Sequence, residues 1–419
     1  MLNYIVEGGK KINGEVTISG SKNASLPILA TAILNKEKVT FYNVPEIEDI
    51  KITLEILKLL GCKVSKKYDK ITISSYDMNK TEIPEDLMKK SRSTVILAGA
   101  ILGRFKKAKF TYPGGCNIGA RPIDLHLDSF KKLGIDIKEN NEEIECSTKN
   151  IIGNRINLEF PSVGATENII LASIYATGTT HIINAAKEPE IVDLARCLNC
   201  MGAKIYGAGT KRITIIGVKK LHKLNYRIMP DRIEAGTFLC AAAITNGKIK
   251  IDEVNPNDMM STLYVLKNIG CKITIKNESI QLVAYKKNKN TNIETNPYPN
   301  FPTDMQPIMS AVLTKSYGKS IVTENIFENR FKYIEGLKKM GADIKEINNK
   351  VIEINGVNEL KGTEVESNDL RGGAALVIAG LAGNGVTKIN NADYILRGYE
   401  NFEKKLNKLG ANVKIEKVV

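Results

Sequence analysis

The chain has 419 residues, a formal net charge of +14 and an apolar content of 43%. That length exceeds what one hydrophobic core usually organises, so the sequence predicts two domains. The longest apolar runs, such as AALVIAGLA, are about half of a membrane span, and no basic and apolar leader opens the chain. We therefore expect a cytoplasmic protein without membrane insertion.

The positive charge favours an anionic ligand over nucleic acid. The lysines are spread along helix faces and are not concentrated in one tract, which argues against a nucleic-acid surface. Aromatic residues make up only 6% of the chain, and none is Trp, so a surface that stacks on bases is not expected. We predict that the protein binds no nucleic acid.

The seven cysteines are odd in number and scattered, which argues against a disulfide framework. Cys197 and Cys200 form the one C-x-x-C pair, inside the amphipathic stretch EIVDLARCLNCMGAKI. No second pair or cluster of histidines accompanies them, so the sequence predicts no metal site. We interpret both thiols as helix packing.

Taken along the chain, one unit recurs six times at intervals of roughly 70 residues. Each copy ends in a short motif, in the order LGCKV, LGIDI, MGAKI, IGCKI, MGADI and LGANV. Every motif follows an amphipathic helical segment, and its glycine fits a helix C-terminus before a strand. The glycines are Gly61, Gly134, Gly202, Gly270, Gly341 and Gly410.

A second helix recurs in each copy, and it is apolar nearly all round. Its sequences include SLPILATAIL, STVILAGAIL and TFLCAAAIT. A helix of that kind is buried, whereas the amphipathic helices face outward. Six units in two domains predict an α/β protein with three units per domain, the apolar helices inside and the sheets outside.

Charged residues stand just before or at the start of these buried helices. They include Lys22, Arg92, Arg232, Asp304 and Arg371. The N-termini of helices bind anions, so several together would favour a phosphate-bearing ligand. Helix capping is the alternative explanation for each position, and Asp304 in particular fits an N-cap before MQPIMSAVLT.

Cys116 lies in YPGGCNIGARP, a stretch rich in glycine and proline. Such a stretch predicts a loop, so we expect this thiol to lie on an accessible loop and not in the apolar core. Nearby Arg121 would favour its thiolate form.

The chain resembles the enolpyruvyl transferases of the EPSP synthase superfamily over essentially its whole length. The resemblance rests on SGSKNASLPIL, YPGGCNIGARPIDLHL, SVGATENI, MPDRIEAGTFL, FPTDMQ, FENRF, DLRGGAALVIAGLA and RGYE. It implies two inside-out α/β barrels, each of three βαβαββ-like units. Residues 22–229 would form the first domain with the Cys116 loop as a lid, and residues 1–21 with 230–419 the second.

Within that family, the motifs are similar to those of the branch whose acceptor is UDP-N-acetylglucosamine. The implied reaction transfers the enolpyruvyl group of phosphoenolpyruvate to the 3-hydroxyl of this nucleotide sugar and releases phosphate, the first committed step of peptidoglycan synthesis. It runs through a tetrahedral intermediate, with Cys116 as proton donor and Asp304 as base. No cofactor or metal is implied, and fosfomycin is implied as a covalent inhibitor.

The resemblance also assigns the substrate contacts. For phosphoenolpyruvate it implies Lys22, Asn23, Arg121 and Arg397. For the nucleotide sugar it implies Arg92, Arg121, Pro122, Ile123, Asp124, Leu125, Ser162, Val163, Gly164, Asp304 and Ile326. Further matches are Arg330, Asp369, Arg371, Arg232, Glu188 and Glu190, for which ion pairing between domains is the alternative.

Two other functions are weighed against this one. The related shikimate-pathway enzyme shares the fold, but it lacks the cysteine loop and carries S-x-S-N-R where this chain has SKNASLPIL. A non-catalytic RNA-end-binding relative would not need Lys22, Cys116, Asp304 and Arg397 together. One departure from the family is Leu396, where related proteins usually have an acidic residue before the arginine.

Overall fold

The computed structural model describes residues 2–115, 118–119 and 123–417. These residues divide into two compact units. The first unit consists of residues 20–115 and 123–229. The second consists of residues 2–19 and 230–417 together with Ile118 and Gly119. Each unit has its own apolar core.

The chain begins in the second unit with β1 (Leu2–Glu7) and β2 (Asn13–Thr17). The first unit then contains α1 (Lys22–Leu34), β3 (Val39–Tyr42), α2 (Glu48–Leu59), β4 (Lys63–Lys67), β5 (Lys70–Ser74), α3 (Glu85–Lys90), α4 (Ile96–Phe105), β6 (Lys107–Thr111), α5 (Asp124–Lys132), β7 (Asp136–Asn140), β8 (Glu143–Ser147), β9 (Arg155–Asn157), α6 (Val163–Ser173), β10 (Thr179–Ile183), α7 (Pro189–Cys200), β11 (Lys204–Tyr206), β12 (Arg212–Ile216) and β13 (Leu224–Arg227).

The second unit continues with α8 (Arg232–Ile244), β14 (Lys248–Asp252), α9 (Met260–Asn268), β15 (Lys272–Lys276), β16 (Ser279–Val283), β17 (Ile293–Glu294), α10 (Gln306–Leu313), β18 (Lys319–Thr323), α11 (Ile334–Lys339), β19 (Asp343–Asn348), β20 (Val351–Asn355), β21 (Leu360–Lys361), β22 (Glu364–Glu366), α12 (Leu370–Leu381), β23 (Gly383–Asn384), β24 (Val386–Asn390), α13 (Asp393–Leu396), α14 (Phe402–Lys408) and β25 (Asn412–Lys417). Short 3-10 turns span Arg92–Val95, Pro256–Met259 and Thr303–Met305.

The apolar helices of the repeats form the centre of each unit. In the first unit α4 packs against α1 and α6, and in the second α8, α10 and α12 pack against one another. Every residue of α12 is buried, as is every residue of α1 after its first two. Helices that are apolar on all sides require this position, because no face can be left toward water.

The outer layer repeats one strand pattern. Five four-stranded sheets each combine one parallel pair with two antiparallel pairs, in the orders β13-β3-β5-β4, β9-β10-β12-β11, β2-β14-β16-β15, β17-β18-β20-β19 and β22-β24-β1-β25. The sixth sheet, β6-β8-β7, has a single parallel bridge from Glu82 to Lys109 in place of the parallel strand. The six predicted copies are therefore six copies of one supersecondary unit.

The outer helices end as the recurring motifs predict. The six motif glycines follow α2, α5, α7, α9, α11 and α14, and all have φ between 79° and 107°. That left-handed conformation is the one a helix C-terminus uses and a β-carbon disfavours. One interpretation of this region was half wrong: on α7, Cys197 is buried but Cys200 is exposed, so only Cys197 is part of the packing.

None of the helices in the described part of the chain combines the length and apolar character of a transmembrane segment.

Candidate active site

In the first unit, Lys22 and Asn23 open the buried helix α1. Ser21 caps this helix by accepting the N–H of Ala24 at 3.2 Å. The ammonium of Lys22 lies 3.0 Å from a carboxylate oxygen of Asp49, whose side chain is only 1% exposed. The buried carboxylate of Asp49 thus holds the lysine at the positive end of helix α1. The ammonium group and the helix N-terminus both favour a bound anion.

Arg92 begins the 3-10 turn that leads into α4. The hydroxyls of Ser91 and Ser93, on either side of Arg92 in the sequence, are 2.8 Å apart. A β-carbon at Gly115 would come within about 3.0 Å of the Arg92 backbone, so the end of the glycine-rich stretch passes close to this turn. Cys116, Arg121 and Pro122 lie outside the described residues.

The other predicted sugar contacts in this unit start two helices. Ile123 is buried and directly precedes α5, which begins with Asp124 and Leu125. Ser162 caps α6 by accepting the N–H of Ala165 at 3.3 Å, and Val163 and Gly164 form its first turn. The structure therefore places these residues at helix N-termini of the same unit.

His126, which the sequence interpretation did not single out, joins three of these helices. Its Nδ1 accepts from the side-chain amide of Asn168 on α6 at 2.7 Å, and the amide oxygen accepts the N–H of Gly99 on α4 at 2.9 Å. A β-carbon at Gly164 would lie 3.0 Å from the imidazole. Burial, with a smaller effect of the Arg92 charge, lowers the pKa of His126 to about 3.

Acidic side chains are buried behind the start of α7. Glu190 is buried in its first turn, and Glu188 immediately precedes the helix. Burial, followed by the charges of Glu190 and Glu188, raises the pKa of Glu167 on α6 well above its ordinary value.

In the second unit, Asp304 accepts from two buried arginines. One carboxylate oxygen lies 3.0 Å from Nη2 of Arg330, and the other lies 3.2 Å from Nη2 and 3.3 Å from Nε of Arg371. Both arginine side chains are at most 3% exposed, whereas that of Asp304 is 27% exposed. The two buried arginines thus hold the carboxylate in place, while part of the Asp304 side chain remains accessible to solvent.

Asp304 is not a helix cap. The residue preceding α10 is Met305, and no side chain caps that helix. In contrast, Asp369 caps α12 by accepting the N–H groups of Arg371 and Gly372, both at 3.0 Å. Helix capping therefore explains the position of Asp369, whereas the Asp304 side chain binds Arg330 and Arg371 and does not cap α10.

Several buried polar atoms near this carboxylate have no hydrogen-bond partner among the described residues. Within the part of the chain that the structure describes, Nε of Arg330, Nη1 of Arg371 and Oδ2 of Asp369 are buried without a hydrogen-bond partner. Buried polar atoms usually have partners, so these three atoms are exceptions that cluster around the Asp304 carboxylate.

Arg232, Ile326 and Arg397 lie elsewhere in the same unit. Arg232 is buried at the start of α8, with its guanidinium 5.6 Å from the centre of the Tyr298 ring. The N–H of Ile326 donates to Glu324 at 2.8 Å. Arg397 directly follows α13 and is half-buried.

The segment around Arg397 is held against α12. A β-carbon at Gly398 would come within 2.7 Å of the Leu370 side chain, so glycine permits this close approach next to Asp369. Leu396, the departure from the family pattern, packs partly buried against the apolar core. An apolar residue therefore suits this position.

The described residues contain no group of three or more His, Cys, Asp or Glu side chains suited to a metal ion.

Two inside-out barrels, each built from three copies of one unit with charged residues at helix N-termini, define the class of the enolpyruvyl transferases. The family described as EPSP synthase (3-phosphoshikimate 1-carboxyvinyltransferase) matches residues 6–406, and the chain belongs to this family.

Among curated proteins, the chain is 49% identical to UDP-N-acetylglucosamine 1-carboxyvinyltransferase 2 of Caldanaerobacter subterraneus subsp. tengcongensis, with 98% of each chain covered. It is 45% identical to UDP-N-acetylglucosamine 1-carboxyvinyltransferase of Finegoldia magna, again with 98% of each covered.

Solved structures share the fold at lower identity. The enolpyruvyl transferase NikO from Streptomyces tendae is 21% identical with a TM-score of 0.88, over 99% of this chain and 98% of that one. EPSP synthase from Acinetobacter baumannii is 19% identical with a TM-score of 0.78, over the full length of both. The predicted fold class is confirmed.

Proposed function

We propose that this protein transfers the enolpyruvyl group of phosphoenolpyruvate to the 3-hydroxyl of UDP-N-acetylglucosamine and releases phosphate, in the first committed step of peptidoglycan synthesis. The names of relatives at 45% to 49% identity support this acceptor, because the similarity extends over nearly the whole length of both chains. The retained motifs FPTDMQ, FENRF and YPGGCNIGARP support the same choice.

The observation that carries the proposal is the position of the Asp304 carboxylate. It lies between Arg330 and Arg371, partly exposed, in place of capping α10. A general base must remain ionised and reachable by the hydroxyl whose proton it accepts. We therefore assign Asp304 as the base for the 3-hydroxyl of the sugar.

Lys22, Arg121 and Arg397, assisted by Asn23, bind the carboxylate and phosphate of phosphoenolpyruvate in this proposal. Lys22 is suited to this because Asp49 holds its ammonium at the N-terminus of α1, where the helix also favours anions. Arginine and lysine are the usual partners of such groups.

The nucleotide sugar is assigned to Arg92, Ile123, Asp124, Leu125, Ser162, Val163, Gly164 and Ile326, with Arg121 and Pro122. The helix N-termini that carry Ser162 and Asp124 present backbone N–H groups suited to diphosphate oxygens. Arg330, Asp369 and Arg371 support Asp304, and Asp369 does so by capping the helix that begins with Leu370 and Arg371.

The chemistry is an addition followed by an elimination. The sugar oxygen bonds to C2 of phosphoenolpyruvate while its proton passes to Asp304, and Cys116 delivers a proton to C3. In the tetrahedral intermediate, the Cys116 thiolate then takes a proton back from C3 while the C–O bond at C2 breaks, the double bond re-forms and the phosphate leaves with the proton held by Asp304. In this proposal the acid, the base and the cations of this chain account for each step, and no step requires an oxidant or a reductant.

Phosphate release tests the proposal when it is measured with phosphoenolpyruvate and each of two acceptors. With UDP-N-acetylglucosamine we expect stoichiometric phosphate and a product heavier by the enolpyruvyl group. With 3-phosphoshikimate, the acceptor of the enzyme after which the family is named, we expect no turnover. Turnover with 3-phosphoshikimate alone would reassign the acceptor, and turnover with neither would contradict an enolpyruvyl transferase acting on these compounds.

A further inference from the structure

The side chain of Glu324, just after β18, is a buried carboxylate that gathers four hydrogen-bond donors. The residue is only 1% exposed. Its Oε1 accepts the Thr295 hydroxyl at 2.8 Å and the N–H groups of Ile326 and Phe327 at 2.8 and 3.1 Å. Its Oε2 accepts the Thr303 hydroxyl at 3.0 Å.

No described lysine, arginine or histidine forms an ion pair with this carboxylate within 4.0 Å. Burying a charged group is costly, and here neutral donors from three segments provide the compensation. Such an arrangement is specific in geometry, since each donor must point at the same two oxygens.

Both ends of the network reach the proposed base. Thr303 directly precedes Asp304 in the 3-10 turn. On the other side, the guanidinium of Arg330 lies 5.8 Å from the centre of the Phe327 ring. Arg330 also donates to Asp304 at 3.0 Å and to the Thr303 carbonyl at 3.3 Å. Glu324 therefore contacts the segment of Asp304 directly and the partner of Asp304 through Phe327.

We propose that Glu324 is a positioning residue that fixes Asp304 and Ile326 relative to each other through the hydroxyl of Thr303 and the backbone of residues 326–327. This inference rests on the proposed role of Asp304 as base. A displacement of a reacting group by about 1 Å can cost on the order of 100-fold in rate, so a hydrogen bond that holds the 3-10 turn affects turnover without touching substrate.

The test compares two threonines that bind the same carboxylate. Thr303→Val removes the bond next to Asp304. Thr295→Val removes a bond from a residue earlier in the chain, whose hydroxyl also accepts the N–H of Asn325 at 2.9 Å, so it is the structurally more demanding of the two variants. We expect Thr303→Val to lower kcat about 10-fold, with the KM for phosphoenolpyruvate unchanged and the melting temperature no lower than that of Thr295→Val. Thr303→Ser, which keeps the hydroxyl, restores kcat. Equal kcat in Thr303→Val and the wild type would overturn the inference.

Variants at Glu324 extend the test. In Glu324→Gln, the amide oxygen can keep the three donors of Oε1 while the amide N–H donates to Thr303, so we expect a loss of at most a few-fold. In Glu324→Ala, kcat falls about 100-fold and the KM for UDP-N-acetylglucosamine rises. If Glu324→Ala melts near the wild-type temperature but keeps wild-type kcat and KM, the inference is wrong.

A double variant separates positioning from general stability. Asp304→Asn removes the base, so adding Thr303→Val should cause no further loss of residual turnover. A further 10-fold loss in the double variant would contradict action through Asp304. Failure of the inference differs from failure of the proposed function, because in the latter the wild-type protein itself does not turn over.

Discussion

Nη2 of Arg330 lies 3.0 Å from the carboxylate of Asp304, and both residues belong to the second unit. Arg371 completes the pairing from the first turn of α12. Two guanidinium groups on one carboxylate bind its charge from two directions, so its orientation does not depend on capping the helix that follows. An aspartate held in this way can serve as a base of fixed geometry.

Replacing Asp304 by asparagine should remove most turnover while binding of the nucleotide sugar persists. The amide still accepts a hydrogen bond but does not take the proton of the hydroxyl. We expect kcat to fall by about 100- to 10,000-fold, and the dissociation constant for UDP-N-acetylglucosamine, measured by calorimetry, to change by only a few-fold. Asp343→Asn, at an exposed aspartate, is the matched control. Near-normal kcat in Asp304→Asn would remove Asp304 from the chemistry.

Substituting Lys22 or Arg397 by alanine should weaken the use of phosphoenolpyruvate selectively. Each loses a charge-assisted contact to an anionic group, so kcat/KM for phosphoenolpyruvate should fall on the order of 10- to 100-fold. The KM for UDP-N-acetylglucosamine should stay close to the wild-type value. Steady-state kinetics with each substrate varied in turn measures both quantities.

The control for this prediction is Lys51→Ala. Lys51 lies on α2, is exposed and pairs with Glu48 at 3.4 Å, so its loss should leave both kinetic constants unchanged. Equal weakening for both substrates in Lys22→Ala would point to a structural role through Asp49.

Features set by local sequence could be predicted from the sequence, but contacts between distant positions could not. The six glycines and the apolar helices are readable because their signals lie within about ten residues of sequence. The pairing of β1 with β24 and β25 joins opposite ends of the chain, and the contact of Asp304 with Arg371 spans 67 positions. Periodicity carries no information about such distances, so the charged cluster had to come from the family resemblance.

Glu324 and His126 show why some site residues were missed. Glutamate is rarely buried, and a single sequence predicts an exposed position for it. The burial of Glu324 depends on Thr295 and Thr303, which precede it by 29 and 21 positions. His126 pairs with Asn168, 42 positions later. Both residues lie in motifs of the family resemblance, YPGGCNIGARPIDLHL and SVGATENI, but neither motif indicates that these two side chains meet. The contacts of both residues form only once the chain has folded.

His126 should make the protein less stable in mild acid. Its pKa is about 3 in the folded protein against an ordinary value of 6.5. Between these values the unfolded chain binds the proton and the folded chain does not, so the free energy of unfolding falls as the pH falls through 6.5 toward 3. At pH 5 this loss amounts to about 2 kcal/mol.

Denaturant unfolding at pH 7 and pH 5 checks this prediction. In His126→Gln, the fall in unfolding free energy between the two pH values should be smaller than in the wild type by about 2 kcal/mol. His181→Gln is the control, since His181 is one of the three histidines and lies on β10, where it pairs with Thr214 at 3.1 Å. An unchanged pH dependence in His126→Gln would show that another group titrates.

Cys116 should be the site of irreversible alkylation by fosfomycin. This epoxide phosphonate resembles phosphoenolpyruvate, so its phosphonate would occupy the groups assigned to that substrate, Lys22 and Arg397 among them. The thiolate sulfur then bonds to an epoxide carbon while the ring C–O bond breaks, and the alkoxide takes up a proton. Arg121, five positions along the chain, would favour the thiolate, and binding would raise its effective concentration beside the epoxide.

Intact mass and peptide mapping after treatment in the presence of UDP-N-acetylglucosamine locate the adduct. The internal control is Cys200, which is exposed, whereas Cys62, Cys146, Cys197, Cys240 and Cys271 are buried. General thiol reactivity would label Cys200, but a directed reaction labels Cys116 alone. A single adduct on the Cys200 peptide would contradict the assignment.

Cys116→Asp should keep turnover and escape the drug, because a carboxyl group can donate the proton to C3 but attacks the epoxide poorly. Cys116→Ser should lose most product formation, since its hydroxyl is too weakly acidic to deliver that proton.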